Sequence, residues 1–289
     1  MGNVQDEMLS ESARINYGKY SVPPTLQSLL KVAQEVADSE AFYSAFNMYV
    51  SLNDFRYFNT PCDVVVFGTN GVDGIHFGFL TDYGRVFDLE EAPIVCVSPM
   101  DFDRPVRLVA DNIRAFLAMQ PEDGGLTINV FQNEEHYLTA KREWEEEQSR
   151  SPYQPTEAEQ RQTEAIRRQI AEQIALPPIA HPYQYIQKVN RSREQQITVH
   201  SQDGIGVLEP LLEHEKQQVS LMHIHKDVDL NLEQLQAYLA LAPRAAQLAL
   251  FRDIQIHHIL SRSGELQAIV INQLQALGLN DEADRIAYS

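Results

Sequence analysis

The stretch Asp63-Val-Val-Val-Phe-Gly-Thr-Asn-Gly-Val-Asp-Gly-Ile-His-Phe-Gly-Phe-Leu80 decides the fold. Two apolar runs, 64–67 and 75–80, flank two turn signals, Asn70-Gly71 and Asp73-Gly74. Glycine at these places supplies the positive φ that tight turns need. The segment is not a phosphate cradle. It lacks the GxGxxG order, no Lys-Ser or Lys-Thr follows, and an apolar strand rather than a helix comes next. In the second run Ile75, Phe77 and Phe79 alternate with His76, Gly78 and Leu80, so one face is aromatic and points at a core.

Working outward, apolar runs at 85–89 and 93–98 continue an antiparallel meander, with Asp82-Tyr-Gly84 as the next turn. Upstream, Leu26, Leu29, Leu30, Ala33, Val36 and Ala37 recur at helical spacing. They predict a helix over 25–38 with Thr25 at its N-cap. A short helix over 40–50 carries Phe42, Phe46 and Tyr49 on one side. Downstream, Asp103 as N-cap and Pro105 in the first turn predict a helix. Val106, Val109, Ile113, Phe116 and Leu117 form its buried stripe, and Pro121 and Gly124-Gly125 end it. Helices at both ends of an antiparallel sheet make an α+β fold.

Residues 126–131 read as one more strand, and a charged helix follows from Glu134. Next come a Ser/Gln/Pro-rich linker over 148–155 and a polar helix over 156–175 with Ile166, Ile170 and Ile174 on one side. Pro177-Pro178 and Pro182 break that helix, and 197–199 and 219–224 read as short strands. Three helical stripes follow: Leu232/Leu235/Leu239/Ala242, Leu248/Phe251/Ile254/Ile259 and Leu266/Ile269/Val270/Leu274/Leu277. Ser263 opens the third and Gly278 closes it. The expected organisation is an irregular segment 1–24, an α+β domain 25–131, a charged helix and linker 132–155, and a mainly helical domain 156–289.

The 289 residues are 44% hydrophobic, enough for a sizeable core. No apolar run approaches the roughly 20 residues that span a bilayer. The polar, acidic start, Met1-Gly-Asn-Val-Gln-Asp-Glu7, is not a secretory signal, and a cytoplasmic protein is expected. Cys62 and Cys96 sit at or inside apolar segments without a CxxC pattern, as small buried hydrophobes in a reducing compartment would. The net charge is −18. Residues 1–150 carry 24 acidic and 11 basic side chains, a net of −13, and 151–289 carry 17 and 12, a net of −5. Such a chain lacks the Lys and Arg that phosphate contacts require, so nucleic acid is not its partner, and it repels anionic membranes. A charge of this sign serves solubility alone, or it attracts a basic protein and speeds the encounter.

Few residues carry chemistry. His223-Ile-His225 would share one face in a strand and could hold a metal, with Asp227, Asp229, His200 and His214 as further ligands. The adjacent His257 and His258 diverge by about 100° on a helix and do not chelate together. His76 reads as a hydrogen-bonded structural histidine. Asp82, Asp88, Glu90, Glu91, Asp101 and Asp103 cluster in sequence, as solvated turn and loop residues, as material for a paired-carboxylate site, or as a negative docking surface on loops. No G-x-S-x-G elbow or catalytic cysteine signature occurs. No cofactor is expected, and no catalytic residue is assigned.

The ordered set Asp-Val-Val-Val-Phe-Gly (63–68), Asn-Gly-Val-Asp-Gly-Ile-His-Phe-Gly-Phe (70–79), Ala-Pro-Ile-Val (92–95), Ser98-Pro99 and Asn-Ile-x-x-Phe-Leu (112–117) resembles the SUKH superfamily, also called the SMI/KNR domain. The resemblance covers roughly residues 20–120. It implies an α+β domain without known catalytic residues that works by protein–protein contact. Bacterial members are similar to immunity proteins that bind and neutralise a cognate toxin, often a nuclease, and eukaryotic relatives regulate cell-wall assembly. The expected function is therefore a non-enzymatic, immunity-type binding module. The alternatives are a regulatory scaffold acting through its C-terminal helices, and a metal-dependent enzyme using His223 and His225.

Overall fold

The computed structural model describes residues 10–36, 38–101, 103–216, 220–226 and 228–289. Ala37 of the predicted 25–38 helix, Val219 of the predicted 219–224 strand, and Asp227 lie outside the described residues. The elements run α1 (Glu11–Tyr17), α2 (Pro24–Val36), α3 (Ser39–Phe46), β1 (Tyr49–Val50), β2 (Val64–Thr69), β3 (His76–Leu80), β4 (Ile94–Val97), β5 (Val106–Ala110) and α4 (Ile113–Ile128). They continue with α5 (Glu134–Arg150), α6 (Glu157–Gln173), α7 (Pro182–Glu194), α8 (Glu213–Lys216), α9 (Leu232–Leu241), α10 (Arg244–Ile256), α11 (Gly264–Ala276) and α12 (Asn280–Tyr288). The fold is α+β, with a five-stranded antiparallel meander in the order β1-β2-β3-β4-β5 and a helical C-terminal region.

The opening stretch forms the centre of that sheet. β2 and β3 pair with Val64 opposite Leu80 and Thr69 opposite His76. Phe77 and Phe79 join Phe67 and Phe116 in an aromatic cluster, with Phe77 and Phe116 ring centroids 4.7 Å apart. Gly71 and Gly74 hold φ of 76° and 70° in the connecting turn. Gly78 serves close approach: a Cβ there would lie 2.3 Å from Val64 Cγ1. Alternate residues divide the sheet between two cores. Val65, Phe67, Phe77 and Phe79 pack under α2, α3, α4 and α6. Val64, Val66, Leu80, Val95 and Val97 face Val189 of α7, Ile205 and Ile256.

Several expectations are corrected. Residues 106–110 are strand β5, not helix, and α4 begins at Ile113, where the Asn112 side chain accepts from Ala115 N at 2.9 Å. Val106 and Leu108 lie in one core and Val109 and Ala110 in the other, so burial on both faces erased the strand's alternation. Asp103 accordingly caps no helix. Residues 85–89 form no strand. Asp82, Tyr83 and Gly84 turn the chain with φ of 49°, 53° and 83°, Phe87 is 91% exposed, and Asp88 caps a short 3-10 turn, Leu89–Glu91. Residues 126–128 finish α4, which passes Pro121 and Gly124-Gly125 through a kink at Asp123 instead of ending there.

A further correction concerns the N-terminal segment expected to be irregular. It holds α1, capped by Ser10, whose Asn16 is inserted beside the sheet. Asn16 Nδ2 donates to Val66 O at 2.7 Å and its Oδ1 accepts from Val66 N at 3.0 Å. The register shifts between Val66 and Gly68, so the amide completes backbone bonds that the irregular ladder leaves open. Of the two short strands expected further on, 197–199 contributes only the isolated bridge between Val199 and Val207, and the described residues 220–224 form no strand. The three C-terminal helices form as α9, α10 and α11, with Ser263 accepting from Leu266 N at the start of α11, and α12 is added.

Candidate functional site

The six acidic residues read as a docking surface lie on two separate loops, and several of them are already paired. Asp82, Asp88, Glu90 and Glu91 lie between β3 and β4, whereas Asp101 and Asp103 follow the opposite end of β4. Asp82 is buried, and both its oxygens receive Arg193 of α7, at 2.6 and 2.7 Å. Glu90 accepts from Thr25 N at 3.0 Å, which seats the start of α2, and Arg114 lies 3.8 Å away. Arg114 also pairs with Glu91 at 2.5 Å. Asp101 pairs with Arg107 at 2.9 Å and accepts from Asp103 N and Arg104 N, closing its own loop. Asp88 and Asp103 are exposed.

His223 and His225 are exposed on an irregular segment, without the strand pairing that would hold both imidazoles on one face. Among the described residues no group of three or more His, Cys, Asp or Glu gathers as a metal-binding set. His76 is wholly buried. Its Nδ1 lies 2.7 Å from Gly74 O, which can only accept, so Nδ1 carries the proton and Nε2, 3.0 Å from Thr60 Oγ1, accepts. Burial pushes its pKa down to about 4, which keeps the ring neutral. Burial also pushes both cysteine thiols up, so neither is a ready nucleophile.

The densest polar constellation was missed from sequence. Arg252, in the largely buried α10, meets Asp63 at the entrance to β2 at 2.5 Å, and both are fully buried. Asp203 Oδ2 lies 3.7 Å from Arg252 Nη1, while its Oδ1 accepts from Ser201 Oγ and Ile205 N. The Arg252 guanidinium lies 5.6 Å from the Tyr83 ring centroid, and Tyr83 donates its hydroxyl proton to Leu248 O. Burial pushes Asp63 up to about 6 against the pull of Arg252. Burial also opposes the Arg252 charge, but Asp63 and Asp203 more than offset it.

Beside this centre, Arg285 of α12 donates to Asn16 O at 2.8 Å and Cys62 O at 2.9 Å, and Gln255 accepts from Cys62 N at 3.0 Å. Arg193 adds bonds to Ile205 O and Gly206 O beyond its pair with Asp82. The chemistry of this seam is cohesive. Its ionised groups are almost wholly buried, and they tie the sheet to α7, α10 and α12. The available sequence signal was Arg252-Asp253 inside an apolar helix, because buried charges require partners.

No family model and no curated protein matches the sequence. Among the described residues no helix is long and apolar enough to cross a membrane.

Proposed function

We propose that the protein is a binding module of the immunity type, with a SUKH-like α+β portion, which holds a basic protein partner and blocks it by occlusion. In its sharpest form the partner is a nuclease toxin. The supporting observation is where the charge sits. Buried carboxylates are largely matched by arginine: Asp54 by Arg56, Asp63 by Arg252, Asp82 by Arg193 and Glu282 by Arg285. The interior therefore absorbs little of the −18 excess, and most of it faces solvent. A surface field of this sign raises the encounter rate with a cationic partner and fades as salt shortens its reach. The ordered strand and helix motifs over 63–117 support the same reading by their resemblance to domains that act through contact.

The test is a pull-down of the basic product of a neighbouring toxin gene with the purified protein, at low and high salt. A stoichiometric complex that weakens with salt and silences the toxin is expected. If none of the neighbouring gene products binds, the immunity reading is wrong.

A further inference from the structure

A groove of about 840 Å3 lies between α3, the 151–156 connection and α6. Its size is within the roughly 300–1,000 Å3 of ligand clefts. Two tyrosines define its character. Tyr43 stacks on Tyr49 with centroids 4.9 Å apart, and the Tyr49 hydroxyl donates to Glu40 at 2.8 Å, so that wall is fixed. Tyr153, on the connecting segment, is 89% exposed. A large ring left in water beside a cleft gains when a partner covers it.

Charge selects the occupant. Asp38, Glu40, Glu159 and Glu164 line the groove, and Arg167 is the one cation among its lining residues. Arg167 is already committed to Ala45 O, Pro121 O and Glu122. Glu159 is held ionised by the backbone and side chain of Thr156, which it bonds in a capping box. A second copy of this chain would bring its own −18 to an acidic cleft and be repelled.

We propose that this groove seats an extended basic segment of the partner, with arginine or lysine side chains lying against Tyr43 and Tyr153 and between the carboxylates. This rests on the proposed function only in taking the partner to be basic. Cation–π contact and ion pairing at an open site each contribute modestly, so affinity comes from several residues engaged at once.

The probe is a fluorescein-labelled peptide of alternating arginine and glycine, with its glutamate–glycine counterpart as control, followed by anisotropy. The native protein is expected to bind the arginine peptide at low salt and not the control. Tyr153→Ala and Glu164→Lys should each weaken binding about threefold or more, while Glu143→Lys on the open face of α5 changes it by less than about twofold. Three outcomes overturn the assignment: equal losses for Glu143→Lys and Glu164→Lys, unchanged affinity in Tyr153→Ala, or no arginine-peptide binding. A toxin held equally well by native and groove-substituted protein removes the groove and leaves occlusion standing. Peptide binding lost on groove substitution, with no toxin captured, upholds the groove and removes the toxin.

Discussion

Replacing Arg252 by methionine keeps an unbranched side chain of similar reach and removes only the charge and its donors. Among the described residues Asp63 then has no cation within ion-pair distance, and Asp203 loses its distant one. Breaking a fully buried pair by deleting one partner costs about 3–5 kcal/mol. The lost contact with the Tyr83 face adds about 0.5–1 kcal/mol. Against a total stability of about 5–15 kcal/mol, Arg252→Met is severe but measurable.

The loss depends on pH with a definite sign. Asp63 is already pushed up to about 6 by burial with Arg252 present, and goes higher without it. A carboxyl whose folded pKa exceeds its unfolded value binds its proton more tightly when folded, so its contribution is retained at low pH and lost as pH rises through the folded pKa. The deficit should therefore be largest near about pH 8 and smaller near about pH 5. Urea unfolding followed by far-ultraviolet circular dichroism and by Trp144 fluorescence measures it. Adding Asp63→Asn should recover about half, because Asp203 remains unmatched. A loss below about 1 kcal/mol at the higher pH, a deficit independent of pH, or a double variant that loses the full sum would each refute the account.

In histidine NMR spectra, His76 should stay neutral well below the usual imidazole pKa and titrate only near 4; titration near 6.5 would contradict its burial. Because the unfolded ring protonates first, this site should cost up to about 3 kcal/mol of stability as pH falls from 6.5 to 4. Burial pushes the Asp253 carboxyl up to about 7, so Asp253→Asn should stabilise by about 1–2 kcal/mol near pH 8 and by roughly a third of that near pH 5 in denaturant titrations. A fragment of residues 1–150 loses Arg252 and Arg193 together with the α7 and α10 residues that cover the second sheet face, and it should lack a cooperative unfolding transition; a sharp one would show that the seam is dispensable.

The sheet's centre was legible because its strands are short apolar runs punctuated by Asn70-Gly71 and Asp73-Gly74, a pattern that survives without tertiary knowledge. β5 was not, because a strand buried on both faces shows no period to distinguish it from a helix turn. The division of the acidic residues between two loops was hidden for a related reason. Proximity in sequence between 82 and 103 says nothing of the β4 that separates its two ends, nor of Arg193, which lies 111 residues from Asp82. The groove likewise joins α3 to α6 and the segment before it, stretches that no local pattern links.

The seam also bears on how long the folded state lasts. Arg285 reaches Asn16 across 269 residues and Arg252 reaches Asp63 across 189, whereas Asn16 meets Val66 across only 50. Closing the longest of these loops costs about 1.5 kcal/mol more than the shortest. The meander's contacts are the more local, so it is expected to assemble first and the arginines to lock onto it last. Contacts formed after the rate-limiting step hardly hasten folding, but they must break before the chain can open. Arg252 and Arg285 are thus expected to slow unfolding more than they hasten folding, lengthening the lifetime of a molecule whose −18 charge works against its compact state.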